Sequence, residues 1–193
     1  MKIENKIATG AVSVAALVAA STAVTAQDFT GPYVGVFAGI PSGSYPSVQD
    51  TTYGFETDFA AGGFVGFNLE SNRGTIYGFE IAMHGTNLHD DDDDYDLQML
   101  TDFKFKVGKS IDAFGSSMLL YGFAGASVAS ATTDNLDYSY AAFGVNFGAG
   151  VEYMLSDTIS VGLEHTQRSM LGHYTEGTGV ANGTTSFRVA IRF

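Results

Sequence analysis

The chain has 193 residues, no cysteine and a formal net charge of −12 at pH 7. It is long enough for one domain of ordinary size and has no disulfide framework, so packing and backbone pairing must supply its stability. Its 21 acidic and nine basic residues argue against nucleic-acid binding, which needs clustered Lys and Arg to displace counterions from phosphates.

The N-terminal residues have the pattern of an export signal. Lys2 and Lys6 give a basic start, and an Ala/Val-rich apolar run follows over residues 7–20. Val24-Thr25-Ala26 then offers a small-residue cleavage site. We therefore predict a signal peptide over residues 1–26.

The mature domain predicted from this site spans residues 27–193. Cleavage after Ala23 is the second choice, because small residues precede that position too. An uncleaved membrane anchor is the alternative, but the stretch is mostly Ala, Ser and Thr with a single Leu. Removal of the signal would leave the mature chain still more acidic relative to its bases.

Turn-rich stretches divide the mature chain into eight candidate strands. Each is about ten residues long or somewhat more, which is enough for a tilted strand to cross a membrane. Short segments of this length that are rich in aromatic residues and glycine are typical of β-barrels. The predicted strands span residues 31–41, 56–69, 75–87, 96–108, 117–129, 139–154, 158–170 and 183–193.

The connections between these strands alternate in character. Residues 71–74 and 155–157 are tight turns, and the segment 109–116 is somewhat longer. The other four connections are longer or more polar and span residues 42–55, 88–95, 130–138 and 171–182. In a barrel with both termini on one side, these four lie together on the opposite side. We expect the short turns to face the periplasm and the long loops to face outward.

Side-chain alternation predicts which residues face the interior of the barrel. The inward set is predominantly charged and comprises Glu80, Asp102, Glu152, Glu164, Lys104, Lys106, Arg168, Arg188 and Arg192. Hairpin geometry predicts that Glu80 lies opposite Lys104 and Glu164 opposite Arg188. An aromatic belt at the periplasmic strand ends is predicted from five rings: Tyr77, Phe105, Tyr121, Tyr153 and Phe193.

The final strand, residues 186–193, alternates apolar and polar residues up to the C-terminal Phe193. This ending, the opening Phe29-Thr30-Gly31-Pro32-Tyr33-Val34-Gly35 and several Gly-aromatic segments resemble the porin-family outer-membrane β-barrel proteins. That family comprises small surface proteins common in alphaproteobacteria and distantly similar to the OmpA and OmpX barrels. The resemblance implies an all-β fold, an eight-stranded antiparallel transmembrane barrel inserted by the outer-membrane assembly machinery. It implies no single activity, since members are structural proteins, surface antigens or adhesins.

The sequence His89-Asp90-Asp91-Asp92-Asp93-Asp94-Tyr95-Asp96 is the densest charge cluster. Its carboxylates could bind a divalent cation or bridge to lipopolysaccharide phosphates through one. No spaced Asp pattern with a central Gly and a distal Glu is present, however, so a solvated, self-repelling loop is the favoured interpretation.

The chain contains four histidines, which suggest the hypothesis that the protein is a lipid-modifying enzyme. They are His84, His89, His165 and His173. A nucleophile needs a neighbouring base and an orienting carboxylate, and Glu164 and His165 point to opposite faces of a strand. Ordinary polar surface positions explain the histidines better. We therefore assign no catalytic, cofactor-binding or metal-ligating residues and expect no cofactor.

The function predicted from the sequence is a structural or surface-interaction role in the cell outer membrane. The expected partners are outer-membrane lipids and lipopolysaccharide. The alternative is a narrow channel for ions or small solutes, although an eight-stranded wall is only wide enough for its own side chains. A soluble lipocalin-like barrel would reverse the facing, with the apolar residues inside.

Overall fold

The computed structural model describes residues 29–46, 52–54, 59–71, 74–89, 96–133, 136–171 and 179–193. These residues form nine strands: β1 (Gly31–Pro46), β2 (Thr52–Gly54), β3 (Ala60–Glu70), β4 (Thr75–His89), β5 (Asp96–Ala113), β6 (Ser116–Thr133), β7 (Leu136–Met154), β8 (Ile159–Leu171) and β9 (Gly179–Arg192). They contain no helix long and apolar enough to span a membrane.

The sheet closes on itself. Apart from the three-residue β2, the strands pair with their chain neighbours in antiparallel order, and β1 also pairs with β9. The predicted eight-stranded antiparallel barrel is therefore confirmed. We call the end that carries the chain terminus at Phe193 the turn end and the opposite end the loop end.

The strand register fixes the shape of the barrel. The row of paired residues that begins at Val34 on β1 returns to β1 at Ser44, ten residues nearer the loop end. This row passes through Val65, Ile81, Phe103, Ala126, Val145, Ser169 and Ala181. Such a stagger requires strands that tilt by about 35–45° and leaves an interior just wide enough for side chains.

Burial alternates along the strands in the sense that a membrane barrel requires. On β5, Phe103, Phe105 and Val107 face outward and are exposed, whereas Asp102, Lys104 and Lys106 are buried. The wall is therefore apolar outside and charged inside. This is the reverse of a lipocalin-like barrel, and it confirms the predicted facing.

Four connections differ from the prediction. In 130–138, β6 runs to Thr133 and β7 begins at Leu136, and in 171–182, β9 already begins at Gly179. The segment 42–55, predicted as a loop, contains the last residues of β1 and the short β2, which pairs with them. The predicted connection 109–116 is almost entirely strand, because β5 runs to Ala113 and β6 begins at Ser116. Only Phe114 and Gly115 form the turn, and its tight geometry was missed because Phe is not a turn-forming residue.

The β5–β6 turn carries backbone strain at Phe114. Its φ is 52° and that of Gly115 is 86°, the positive values that a two-residue type I′ hairpin turn requires. A bulky residue in this region is a genuine outlier, and the Phe114 side chain, which is 93% exposed, packs against little of the protein in return.

Replacement of this residue by the preferred one should stabilise the hairpin. We expect Phe114→Asn to raise the free energy of unfolding in detergent by about 0.5–1 kcal/mol, because Asn tolerates positive φ. Urea titration of the refolded barrel would measure the change. Gly115→Ala is the matched control and should lower the free energy instead; equal effects of the two variants would contradict the strain.

Candidate functional site: the charged lumen

Nine charged side chains point into the barrel from β4, β5, β7, β8 and β9, and each is at most 3% exposed. They are the set expected from alternation: Glu80, Asp102, Glu152, Glu164, Lys104, Lys106, Arg168, Arg188 and Arg192. A buried charge is costly unless it is paired and hydrogen-bonded, so the partners decide whether this interior is stable.

Glu80 is the acceptor at the centre of the network. Its Oε2 accepts hydrogen bonds from Tyr33 Oη at 3.0 Å, Lys106 Nζ at 3.3 Å and Arg188 Nη2 at 2.5 Å. Its Oε1 lies 3.4 Å from Lys104 Nζ. The four donors come from β1, β5 and β9, so one carboxylate ties together distant parts of the wall.

Glu164 forms the second centre. Lys104 Nζ donates to its Oε1 at 2.6 Å, and Tyr121 Oη donates to its Oε2 at 2.7 Å. Arg188 Nη1 also donates to Oε2. Lys104 and Arg188 therefore each bridge Glu80 and Glu164.

The two predicted pairs form, but one has a different register. Glu80 lies directly opposite Lys104, as predicted. Glu164 lies opposite Ser186, and Arg188 lies opposite Gly162, so the predicted opposition of Glu164 and Arg188 was wrong by two residues. The long guanidinium side chain reaches the carboxylate diagonally across the interior, which hairpin geometry does not reveal.

Glu152 extends the network toward the turn end. It accepts hydrogen bonds from Lys106 Nζ at 3.2 Å and from Arg192 Nη2. Arg192 Nη1 also donates to the backbone oxygen of Phe29 at 3.1 Å, and Asn68 Nδ2 donates to that same oxygen at 2.8 Å. The N-terminal part of the described chain is thereby fixed across the turn end of the lumen.

A separate cluster surrounds Asp102. Arg168 donates to it from Nε at 3.0 Å and from Nη2 at 2.6 Å, and Ser127 Oγ donates at 2.6 Å. Arg168 Nη1 also donates to Thr184 Oγ1 at 2.8 Å. The Asp102–Arg168 pair joins β5 to β8 across the lumen, a contact between residues 66 positions apart that the sequence did not predict.

Aromatic rings fill the space between the charges, and each lies over a glycine directly opposite on the neighbouring strand. The four pairs are Tyr33 with Gly66, Phe64 with Gly35, Tyr121 with Gly150 and Phe123 with Gly148. A Cβ on any of these glycines would come within 2.2–2.5 Å of the ring. Glycine leaves room for an opposing ring in this way in other barrels as well.

Tyr121 corrects the predicted aromatic belt. It was assigned to the outer wall, but it is buried in the lumen, where Lys106 Nζ lies 4.0 Å from its ring centroid. Tyr77 and Phe105 do face outward and are exposed. The alternation around Tyr121 gave no clear facing because apolar and small residues occupy both faces of β6, and only the pairing with Gly150 identifies the inward face.

Apolar layers lie on either side of the ion pairs. Phe29 packs with Ile76, Leu119, Met154 and neighbouring rings toward the turn end, while Leu100, Ala129 and Met170 pack toward the loop end. The described part of the lumen is thus filled by its own side chains. Five buried polar atoms there lack a hydrogen-bond partner: Asn68 Oδ1, His84 Nδ1, Asn146 Oδ1, Arg188 Nε and Arg192 Nε.

The histidines do not assemble a catalytic group within the described residues. His84, predicted among the surface histidines although its strand alternation placed it inside, is buried in the lumen with Nε2 3.3 Å from Arg168 Nη2. His165 faces outward, and its Nδ1 lies 2.9 Å from Thr185 Oγ1. Residues 90–94 and 173 lie outside the described ranges, and within those ranges no group of three His, Asp or Glu side chains is placed to hold a metal.

Comparison with known proteins identifies relatives at the level of family and fold. The family model described as "Outer membrane protein beta-barrel domain" matches residues 11–193. Neisserial surface protein A shares 15% identity, with a TM-score of 0.58 over 85% of this chain and 98% of that one. The attachment invasion locus protein Ail of Yersinia pestis shares 12% identity, with a TM-score of 0.46 over 84% and 100% of the two chains. No curated protein sequence matched significantly.

Proposed function

This chain belongs to the family of outer-membrane protein β-barrel domains, and from that premise we propose that it is a non-conducting barrel with a structural or surface-interaction role. The bilayer it occupies is the outer membrane, where the proteins of this family lie. The proposed role leaves the lumen closed and assigns any contact with other molecules to the exterior of the barrel.

The observation that carries this proposal is the ion-pair network across the lumen. Glu80 and Glu164 each accept from several donors, and Lys104 and Arg188 each contact both carboxylates. An ion that crossed would have to separate these pairs and leave buried charges unpaired, which costs several kcal/mol per charge. The aromatic rings between the pairs close the remaining space.

A narrow channel is the second candidate, and one observation favours it. The five unpartnered polar atoms in the described lumen include Nε of Arg188 and of Arg192, which lie among the charged groups. Unpaired buried polar groups are commonly satisfied by ordered water, and linked waters would form a hydrated path. Conductance decides between the two candidates.

We expect the refolded protein to show no steady conductance in a planar lipid bilayer, while its heat-dependent gel mobility demonstrates a closed barrel. The quadruple variant Glu80→Ala, Lys104→Ala, Glu164→Ala and Arg188→Ala removes the two central carboxylates and the two cations that bridge them without changing the net charge. It should produce discrete current steps by widening the lumen. The outward variant Phe147→Ala is the matched control and should remain silent. Current steps from the unaltered protein would instead establish the channel.

The partners predicted from the sequence are also part of the proposal. Outer-membrane lipids and lipopolysaccharide would surround the apolar wall, and the assembly machinery would insert the barrel. A divalent cation at the acidic segment 90–94 remains a prediction. We propose no enzymatic role, since no carboxylate among the described residues hydrogen-bonds His165, the histidine on the outer wall.

A further inference from the structure

The outer wall carries a cluster of polar side chains, without Asp, Glu, Lys or Arg, on β8, β9 and β1. We call it the polar wall patch; it consists of Ser42, His165, Gln167, Ser169 and Thr185. Four of these side chains are exposed and Gln167 is half-buried. Ile40 on β1 and Phe187 on β9, which border the patch, are exposed apolar residues of the lipid-facing wall.

The register places this patch within the depth of the apolar wall. The paired rows climb ten residues toward the loop end per circuit, or about one and a quarter residues per strand. The row of paired residues through Ala126 on β6 meets β9 at Ala181. Thr185 lies on the same strand, four residues nearer the turn end than Ala181. The row climbs toward the loop end over the three steps from β6 to β9, and this climb offsets the four residues. Thr185 and Ala126 therefore lie at about the same depth.

Elsewhere around the barrel this depth is apolar. By the same construction Phe103 and Phe147 lie level with Thr185, and both are exposed to lipid. His165 is directly opposite Thr185 and lies within about two residues of its depth. Apart from Thr101 on β5, the outward residues named at this depth are apolar, so the polar wall patch is the larger interruption of the hydrophobic band.

The patch satisfies only part of its own hydrogen-bonding capacity. His165 Nδ1 and Thr185 Oγ1 are 2.9 Å apart. The side chains of Ser42, Gln167 and Ser169 make no hydrogen bond to another described residue. Gly183 lies at the centre, where an added Cβ would be 3.0 Å from Gln167 Oε1 and 3.1 Å from Ser42 Oγ. The polar atoms thus converge on one small area.

We propose that two copies of this chain associate in the membrane through the polar wall patch. Acyl chains offer no hydrogen-bond partners, so these groups gain from a protein surface at the same depth. Ser, Thr, Gln and His side chains can both donate and accept, so the patch is complementary to itself, and it contains no Asp, Glu, Lys or Arg that a second copy would repel.

Symmetry and shape favour a second copy over another occupant. A two-fold axis along the membrane normal brings together residues of equal depth, and His165, Gln167 and Thr185 lie within about two residues of depth of one another. Beside it, the outward positions Ala38, Ala61 and Gly85 form one paired row of small residues across β1, β3 and β4. Small residues allow two walls to approach closely enough for hydrogen bonds to form.

Single cysteines test the proposal directly, because the chain contains none of its own. Thr185→Cys places a thiol in the patch, and Ala126→Cys is the matched control at the same depth on another wall. Each variant would be refolded into phosphatidylcholine vesicles at low protein-to-lipid ratio and treated with a short bismaleimide. We expect a cross-linked dimer from Thr185→Cys and only background from Ala126→Cys.

A second pair of substitutions tests whether the polar groups hold the copies together. His165→Leu with Gln167→Leu in the Thr185→Cys background should reduce the cross-linked fraction about fivefold to tenfold, given the modest strength of each hydrogen bond in a membrane. Equal cross-linking of the two single-cysteine variants, or an unchanged fraction in the Leu variant, would overturn the proposal. Loss of the dimer when lipopolysaccharide is added would overturn it in favour of a bound lipid as the occupant of the patch.

Discussion

Arg188→Glu should lower the free energy of unfolding by about 5 kcal/mol, the upper part of the range for breaking a buried ion pair. The guanidinium lies 2.5 Å from Glu80 through Nη2, donates to Glu164 through Nη1 and lies 3.9 Å from the Phe64 ring centroid. A carboxylate there would face two other buried carboxylates. Urea titration of the refolded barrel, followed by heat-dependent gel mobility, would measure the loss.

Two further variants separate the network from a general effect of charge. Lys109→Glu makes the same reversal at an exposed outward position near the turn end of β5, and it should change the free energy of unfolding by less than about 1 kcal/mol. Glu164→Arg combined with Arg188→Glu exchanges the pair and should recover part of the loss. An Arg188→Glu barrel as stable as the unaltered protein would show that the network contributes nothing to stability.

Gly150→Val should lower the free energy of unfolding by about 3 kcal/mol, the cost of overpacking a well-filled interior. A Cβ at this position would lie 2.5 Å from Cζ and Oη of Tyr121. The ring would have to move, and its hydroxyl would leave Glu164, which it now contacts at 2.7 Å. Denaturant titration and the near-ultraviolet circular dichroism of the tyrosines would report the two effects.

Gly122→Val provides the matched control for this overpacking. Gly122 is on the outer face of β6, where an added Cβ would meet only the backbone oxygen of Gly148 at an ordinary 3.7 Å. We expect a change of less than about 0.5 kcal/mol there. Tyr121→Ala should also relieve the strain of Gly150→Val, since it removes the ring. Equal losses at Gly122 and Gly150 would argue against the ring-over-glycine packing.

These expectations bear on function because the same contacts stabilise the wall and close the lumen. Lys104 and Arg188 each connect Glu80 to Glu164, so the network behaves as one unit and cannot open at a single pair. These contacts connect β4, β5, β8 and β9 across the lumen. Variation in function would then arise at the outer wall and at the loop end.

Alternation was sufficient to assign the facing of the regular strands. Glu80, Lys104 and Arg188 were placed inside from period two alone, because one face of each strand is apolar and the other polar. The same rule was uninformative where small and apolar residues occupy both faces, as around Tyr33 and Tyr121. Those two tyrosines bind the central carboxylates, so the sequence missed part of the candidate site.

By itself, the sequence determined the fold class, the number of barrel strands and the set of charges inside, because these follow from a pattern local to each strand. Only the tertiary structure decided which charges meet. Arg168 binds Asp102, which lies 66 positions away in the sequence, and Arg188 contacts Glu164 diagonally across the lumen. Both contacts depend on closure of the barrel with a ten-residue stagger, because that closure sets the distances between strands that are not neighbours. The polar wall patch emerged for the same reason: Ser42 and His165 become neighbours only when β1 pairs with β9.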